Sequence, residues 1–356
     1  MAVTLYDVAR AAGVSIATVS RVVHGQDRVR AATRHRVREA IEALGYVPDA
    51  AAQSMARQRK EIIGLVAVES RDPDTDVEQD GLLFIEEVLR GVEQALRPIG
   101  WSVLISVLIS GGADAYRQLQ RISAKVDGLL ICEGIVDSEH LALLAARVPV
   151  VLIAGPAAEP SADVVTADNH GGTVTLVRHL ISRHGARRFH YLAGPAEAPD
   201  ANARRRAFEQ AVADCPGAVV TASFQGRFAA ISGQRAVRAM LGQELPDVIV
   251  CGNDQMAIGA IRELQAAGIR VPLDVAVTGF DDIHLSALLT PTLTTVRQPM
   301  RQLGERGCAC LLDRIADPGR PRVSVELPTE LIVRTSCGCL LPSCFYRAAH
   351  WCQGIW

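Results

Sequence analysis

The sequence predicts a small all-α head followed by a larger α/β body of two lobes, each built on a parallel sheet. Three observations predict it. The first 48 residues carry helical apolar spacing interrupted by a glycine turn at Gly13. From Ile62 onward, short apolar runs alternate with helix-length amphipathic stretches. The charge also divides: residues 1–60 hold ten Lys/Arg and five Asp/Glu, a net of +5, whereas the remainder carries −7. A basic head on an acidic body suits a polyanion-binding module attached to something that is not one.

In the head, Leu5, Val8, Ala9 and Ala12 fall on one helical face, with Thr4 as the N-cap. Gly13 supplies the left-handed turn that two closely packed helices need. Ser15 caps a second helix over Ile16–Val23, with Val19, Val22 and Val23 inward and Ala17, Ser20 and Arg21 outward. Ala9, then Gly13, then Val19 is the packing signature of a helix-turn-helix. A third helix runs from about Ala31 to Leu44, with Val37, Ile41 and Leu44 as its apolar stripe and Gly45 ending it. Arg28, Arg30, Arg34, Arg36 and Arg38 flank this region. A generic three-helix bundle with a solvated basic face would share these features.

In the body, strands are expected over 62–68, 101–108, 128–132, 148–153, 189–192, 248–251 and 275–278. Helices are expected over 84–96, 140–147, 173–184, 229–241 and 256–267. There are more units than one sheet holds, hence two lobes. In such sheets ligands bind beyond the carboxyl ends of the strands.

The chain is 356 residues long, 49% hydrophobic and 21% charged, a globular composition. No apolar run reaches the roughly 18 residues of a membrane helix. The longest, 148–158, contains Pro149, Gly155 and Pro156 and reads as a buried strand ending in a loop. The N-terminus lacks an apolar signal region, so a cytoplasmic protein with no membrane association is expected. No phosphate loop, dinucleotide fingerprint or nucleophile elbow appears, and no catalytic constellation, so no enzyme activity and no cofactor are expected.

His170, His179, His184 and His190 are not at a metal spacing and read as ordinary helix or loop histidines. Of nine cysteines, Cys337, Cys339, Cys344 and Cys352 crowd the tail. Their C-x-C-x4-C-x7-C spacing is a weak zinc signature, and free thiols with no metal site are the expectation.

The run Val3-Thr4-Leu5-Tyr6-Asp7-Val8-Ala9, then Ala12-Gly13-Val14-Ser15, then Thr18-Val19-Ser20-Arg21-Val22 resembles the headpiece of the lactose-repressor/galactose-repressor family of transcriptional regulators. Tyr46-Val47-Pro48 and Gln53-Ser54-Met55-Ala56 continue the likeness. In the body Asp168-Asn169-His170-Gly171-Gly172, Gly252-Asn253-Asp254-Gln255-Met256-Ala257, Gly279-Phe280-Asp281-Asp282-Ile283 and Leu327-Pro328-Thr329-Glu330-Leu331 are similar to the family's effector domain, in order.

The resemblance implies a type I periplasmic-binding-protein-like body and four segments: a headpiece over 1–48, a hinge over 49–60, an effector and dimerisation domain over 61–339, and an extra tail over 340–356. Lobe 1 would comprise about 61–165 plus 298–327, and lobe 2 about 166–297 plus 328–339. It implies a homodimeric repressor that binds double-stranded operator DNA and responds to a small, sugar-like effector. Ile16, Ala17 and Arg21 fall at its base-reading positions, and Tyr6, Ser15, Thr18, Ser20 and His24 at or near phosphates. Met55 stands where a hinge leucine wedges into the minor groove. Arg204, Phe228, Asn253 and Asp281 fall at effector-contacting positions, and Phe84 near the cleft mouth. Two departures stand out: Ala154 replaces an aspartate common in sugar-responsive members, and Asp49 replaces the usual hinge asparagine. A solute-binding protein without DNA function would share the body, but not the basic head.

Overall fold

The computed structural model describes residues 3–23, 29–46, 59–68, 82–108, 113–132, 137–156 and 159–339. His24, Met55, Asp49 and the tail cysteines Cys344 and Cys352 lie outside them. The chain divides into two compact units, 1–61 and 62–356.

The first unit holds α1 (Leu5–Ala12), α2 (Ile16–Val23) and α3 (Ala31–Leu44). The backbone N–H and hydroxyl of Thr4 both donate to Asp7 Oδ2, which reaches back to fasten the start of α1. Gly13 closes α1 at φ +62°, ψ 41°, a conformation that a side chain disfavours. Ser15 Oγ accepts the Thr18 N–H at 3.2 Å and starts α2. Val8, Ala9, Ala12, Val19, Val22, Val37, Ala40 and Tyr46 form one apolar core. The stripe expected on α3 is corrected at its end: Leu44 is exposed, and Tyr46, past the Gly45 turn, fills the core in its place.

The second unit contains two parallel sheets. The larger has strand order β11-β5-β4-β3-β1-β2, from β1 (Ile62–Val68), β2 (Ser102–Leu108), β3 (Gly128–Cys132), β4 (Val150–Ile153), β5 (Asp163–Ala167) and β11 (Ser324–Leu327). Successive side chains alternate between its two covered faces. Ile63, Leu65, Leu130, Val151 and Ile153 face one core. Val66, Leu129, Ile131, Val150 and Leu152 face the other. Helices α4 (Leu82–Leu96), α5 (Ala113–Ser123), α6 (Ser138–Ala145) and α11 (Met300–Ala316) belong to this lobe.

The smaller sheet runs β7-β6-β8-β9, from β6 (Arg188–Ala193), β7 (Val219–Gln225), β8 (Val248–Cys251) and β9 (Ala276–Thr278). It is covered by α7 (Asn169–His184), α8 (Pro199–Ala213), α9 (Ala230–Met240) and α10 (Asp254–Ala266). Beside it, β10 (Thr295–Arg297) and β12 (Glu330–Ile332) pair antiparallel. Only Asp168 separates β5 of one lobe from α7 of the other.

Each lobe has one very close helix crossing. A β-carbon on Gly304 of α11 would lie 2.0 Å from the Val88 carbonyl oxygen of α4, and one on Gly259 of α10 would lie 1.8 Å from that of Ala230 on α9. Across α11, Arg314 reaches Asp163 of β5 with two bonds, Nε–Oδ2 at 3.0 Å and Nη2–Oδ1 at 2.8 Å, both side chains being buried. No helix among the described residues is long and apolar enough to cross a membrane.

Candidate functional site

In the head, burial divides α2 cleanly. Val19 and Val22 are buried, whereas Ser15, Ile16, Ala17 and Arg21 are exposed and Thr18 and Ser20 are partly so. Tyr6 on α1 is 67% exposed, although it is aromatic and belongs to a helix whose other face is core. The described head residues singled out in the sequence thus lie on the surface of α1 and α2. An outward row of one cation, small hydroxyls and short apolar groups can meet base edges and phosphates at once.

In the body, Arg204 is the centre of a buried cluster. It projects from α8 and is 2% exposed. Its Nε donates to Asn169 Oδ1 at 2.8 Å, its Nη1 to the Gly252 carbonyl at 2.7 Å, and its Nη2 to Asp200 Oδ2 at 3.1 Å. Asp281 Oδ1 lies 3.5 Å from Nη1. The guanidinium carbon stands 3.8 Å from the centroid of Phe280 and 5.7 Å from that of Phe228. Gly252, Phe228 and Asp281 all follow the carboxyl ends of smaller-sheet strands, the edge where open parallel sheets bind ligands.

Two of these positions have unusual backbones. Phe228 has φ +62° and Asp281 φ +120°, left-handed conformations uncommon for side-chain-bearing residues. Ala154, after β4, shares the feature at φ +58°. Burial raises the Asp281 carboxyl to about 7 against the opposing pull of Arg204 and Gln298. Its neighbour Asp254, which accepts bonds from the Ile283 N–H and the Ser286 and Thr295 hydroxyls, is raised to about 8 by burial and then by the charge of Asp281.

Asn253 has a structural task here. Its Oδ1 accepts the Met256 N–H at 3.0 Å and caps α10, while its Nδ2 donates to the Phe228 carbonyl at 2.9 Å. Phe84 stands outside the cluster: it is partly buried on α4 and packs against the larger sheet's core. Sequence reasoning missed Asn169, Asp200 and Phe280. A groove of 570 Å³ on α4, the turn that follows it and α11, lined by Glu86, Arg90, Glu93, Arg97 and Arg301 among others, contains none of the candidate residues.

A second side-chain cluster also escaped the sequence. His179 and His184 of α7 meet Cys337 and Cys339 near the end of the described chain. Burial, then the neighbouring His184 and Arg183, lowers His179 to about 4, and burial lowers His184 as well.

Comparison with known proteins agrees with this architecture. Residues 4–49 match the bacterial regulatory proteins of the lacI family, and residues 177–337 match the periplasmic binding protein-like domain. The HTH-type transcriptional repressor PurR of Aliivibrio fischeri (strain MJ11) is 33% identical over 346 residues, covering 94% of this chain and 98% of that protein. Catabolite control protein A of Priestia megaterium is 34% identical over 342 residues, covering 94% and 99%. Among solved structures, the lac repressor dimer bound to operator and the anti-inducer ONPF aligns with a TM-score of 0.82 at 28% identity, over 95% of this chain and 99% of that one. The transcriptional regulator CelR–cellobiose complex aligns at 0.68 and 31% identity, over 94% and 99%. The chain belongs to the lacI family of bacterial regulatory proteins, as a DNA-binding transcriptional repressor and not an enzyme.

Proposed function

We propose that this repressor acts as a homodimer whose two heads read the half-sites of a near-palindromic operator, and that a sugar-like ligand at the Arg204 cluster sets its grip on that operator. The observation that carries the reading is the outward face of α2, where Ile16, Ala17 and Arg21 are exposed against a buried Val19 and Val22. Arg21 forks onto a guanine edge, and Ile16 and Ala17 meet thymine methyl groups. Tyr6, Ser15, Thr18, Ser20 and His24 hold phosphates and set the register. Residues 49–60 form the hinge, from which Met55 enters the central minor groove. Half-site symmetry mirrors the two-fold symmetry of the dimer. The lac repressor relative is a dimer on its operator, and Ile105 and Val107 expose apolar surface along the edge strand β2.

For the ligand, the CelR relative was solved with cellobiose. Phe228 offers a flat face, and Arg204, Asn253 and Asp281 offer polar groups at the same strand ends. Three of the five N–H groups of Arg204 are held by Asn169, the Gly252 carbonyl and Asp200. A ligand oxygen either takes a further N–H of a terminal nitrogen or displaces one of these partners. Asn169 is the partner beside the crossover from β5 to α7, so exchanging it for a ligand oxygen acts where one lobe passes into the other. Differential contact of this kind is what couples a ligand to DNA affinity.

The test is selection of bound fragments from random DNA by the full-length protein at fixed salt, followed by operator titration with and without a panel of sugars. A near-palindrome whose affinity shifts with a sugar is the expected result. Enrichment of single half-sites would remove the dimer, and a response confined to non-sugar ligands would remove the ligand class.

A further inference from the structure

We propose that His179, His184, Cys337 and Cys339 bind one zinc ion in a closed tetrahedral site that pins the C-terminal end of the second lobe to helix α7. The four donor atoms, one from each residue, lie within 4.8 Å of one another. His179 Nε2 is 3.7 Å from Cys337 Sγ and 3.7 Å from Cys339 Sγ. His184 Nε2 is 3.2 Å from Cys339 Sγ. In a tetrahedral site with metal–sulfur bonds of about 2.3 Å and metal–nitrogen bonds of about 2.0 Å, sulfur and nitrogen stand roughly 3.5 Å apart. The three measured edges bracket that value.

The local structure explains why the donors face one another. His184 is the last residue of α7 and His179 lies five residues earlier, so both rings sit on the final turn and a half. The rings meet edge to face at 5.2 Å between centroids, with both Nε2 atoms turned toward the sulfurs. On the other side, Gly338 takes φ +101° between the two cysteines, bending the strand exit so that both sulfurs reach the histidines. Cys337 is buried in the core beneath α7, and the Thr294 hydroxyl donates to its sulfur at 3.1 Å, the outer contact that orients a thiolate ligand.

Two sulfurs and two imidazoles in a tetrahedron suit zinc among common divalent ions. On binding, each thiol releases its proton to solvent, and the two thiolates cancel the charge of the ion. Four protein ligands leave no open position, so the site is structural rather than catalytic. It shares no residue with the Arg204 cluster or with the DNA-reading residues of the head.

The test is metal analysis of untagged full-length protein purified with reductant. One zinc per chain is expected, together with a rise in Tm on adding zinc to chelator-treated protein. Cobalt substitution should give the visible bands of a tetrahedral site and a thiolate-to-cobalt charge-transfer band. Cys339→Ser and His184→Asn, both at half-buried positions, should each weaken zinc affinity by about 100-fold or more while circular dichroism confirms the fold. Cys344→Ser with Cys352→Ser should leave it unchanged. The proposal is overturned by protein that takes up neither zinc nor cobalt, by zinc that is lost with the tail cysteines instead, or by a Cys337–Cys339 disulfide in the reduced preparation.

Discussion

The guanidinium carbon of Arg204 lies over Phe280, 3.8 Å from the ring centroid, while its nitrogens reach Asp200, Asn169 and the Gly252 carbonyl. The residue that would bind the ligand therefore also neutralises a buried carboxylate. Arg204→Met leaves Asp200 and Asp281 facing each other without it, and is expected to lower stability by about 3–5 kcal/mol, the usual effect of breaking a buried ion pair. Arg204→Lys keeps the charge but not the planar fork, so it should lose less stability and still lose the ligand response. Denaturant titration beside calorimetry of ligand binding separates the two effects. An unchanged unfolding midpoint in Arg204→Met would mean that the cluster does not hold in solution.

Arg21 makes a sharper prediction at the DNA. As a base reader it should cost about 1–3 kcal/mol of affinity on removal, concentrated at one operator position. Arg21→Ala measured against a set of single-base operator variants gives the answer. A uniform loss on every sequence, with a salt slope reduced by about one, would assign Arg21 to a phosphate.

What the sequence disclosed and what it hid follow from how each signal is written. The head was legible because its apolar spacing, its caps and the Gly13 turn all specify the same helices. The strands β1, β3 and β8 were legible because a strand buried on both faces is a continuous apolar run. Strand β7 was missed although Ala222 and Phe224 alternate with Thr221, Ser223 and Gln225, because this sheet-edge strand is mostly exposed and carries no continuous apolar run. Helix α8 was hidden by Arg204-Arg205-Arg206, which reads as a solvated face although Arg204 is buried. The roles read for Asn253 came from resemblance, and only its bonds to Met256 and Phe228 reveal that it caps α10. The histidine and cysteine cluster could not be found from spacing, because its two halves are 158 residues apart between His179 and Cys337.

The Arg314–Asp163 pair is a case where charge is buried for architecture alone. Asp163 also accepts the Val323 N–H at 2.9 Å, and Arg314 donates to the Pro321 carbonyl at 2.8 Å, so the pair holds the 317–323 turn against β5. Arg314→Met should destabilise by about 3–5 kcal/mol, since it strands a carboxylate in the core. Adding Asp163→Leu should recover much of that loss. A double-mutant cycle by denaturant unfolding measures it, and a second substitution that worsens the first would show that the bond from the Val323 N–H to Asp163 dominates.

The raised carboxyls of Asp254 and Asp281 fix a sign for pH dependence. The folded chain holds protons there up to about 8 and about 7, whereas unfolded aspartate releases its proton near the ordinary value of 3.8. Between those limits the folded state binds more protons, so this pair makes stability fall as pH rises from about 4 to about 8. Asp281→Asn removes one of the two groups and should flatten the slope of Tm over that window. A slope identical to that of the parent protein would contradict the burial-driven shift of Asp281.

The two glycine crossings predict how tightly each lobe is built. A methyl group on Gly259 would meet the Ala230 carbonyl oxygen at 1.8 Å, a backbone atom that cannot rotate away. Gly233 stands reciprocally on α9, its added carbon 1.9 Å from the Met256 carbonyl oxygen. Relief requires α9 and α10 to move apart and to open the core of Ala236, Val237, Ala257 and Ala260 between them. Overpacking of this kind costs about 1–3 kcal/mol, and more where backbone must shift. Gly259→Ala is therefore expected to lower the unfolding midpoint clearly. Gly319→Ala, exposed and 3.6 Å from the nearest atom, should stay within about 0.5 kcal/mol of the parent. Because α10 begins at the Asn253 cap beside Gly252, the carbonyl that holds Arg204, forcing α10 outward should also weaken the ligand response. A Gly259→Ala protein with normal stability would mean that the two helices pack farther apart than their backbones do here.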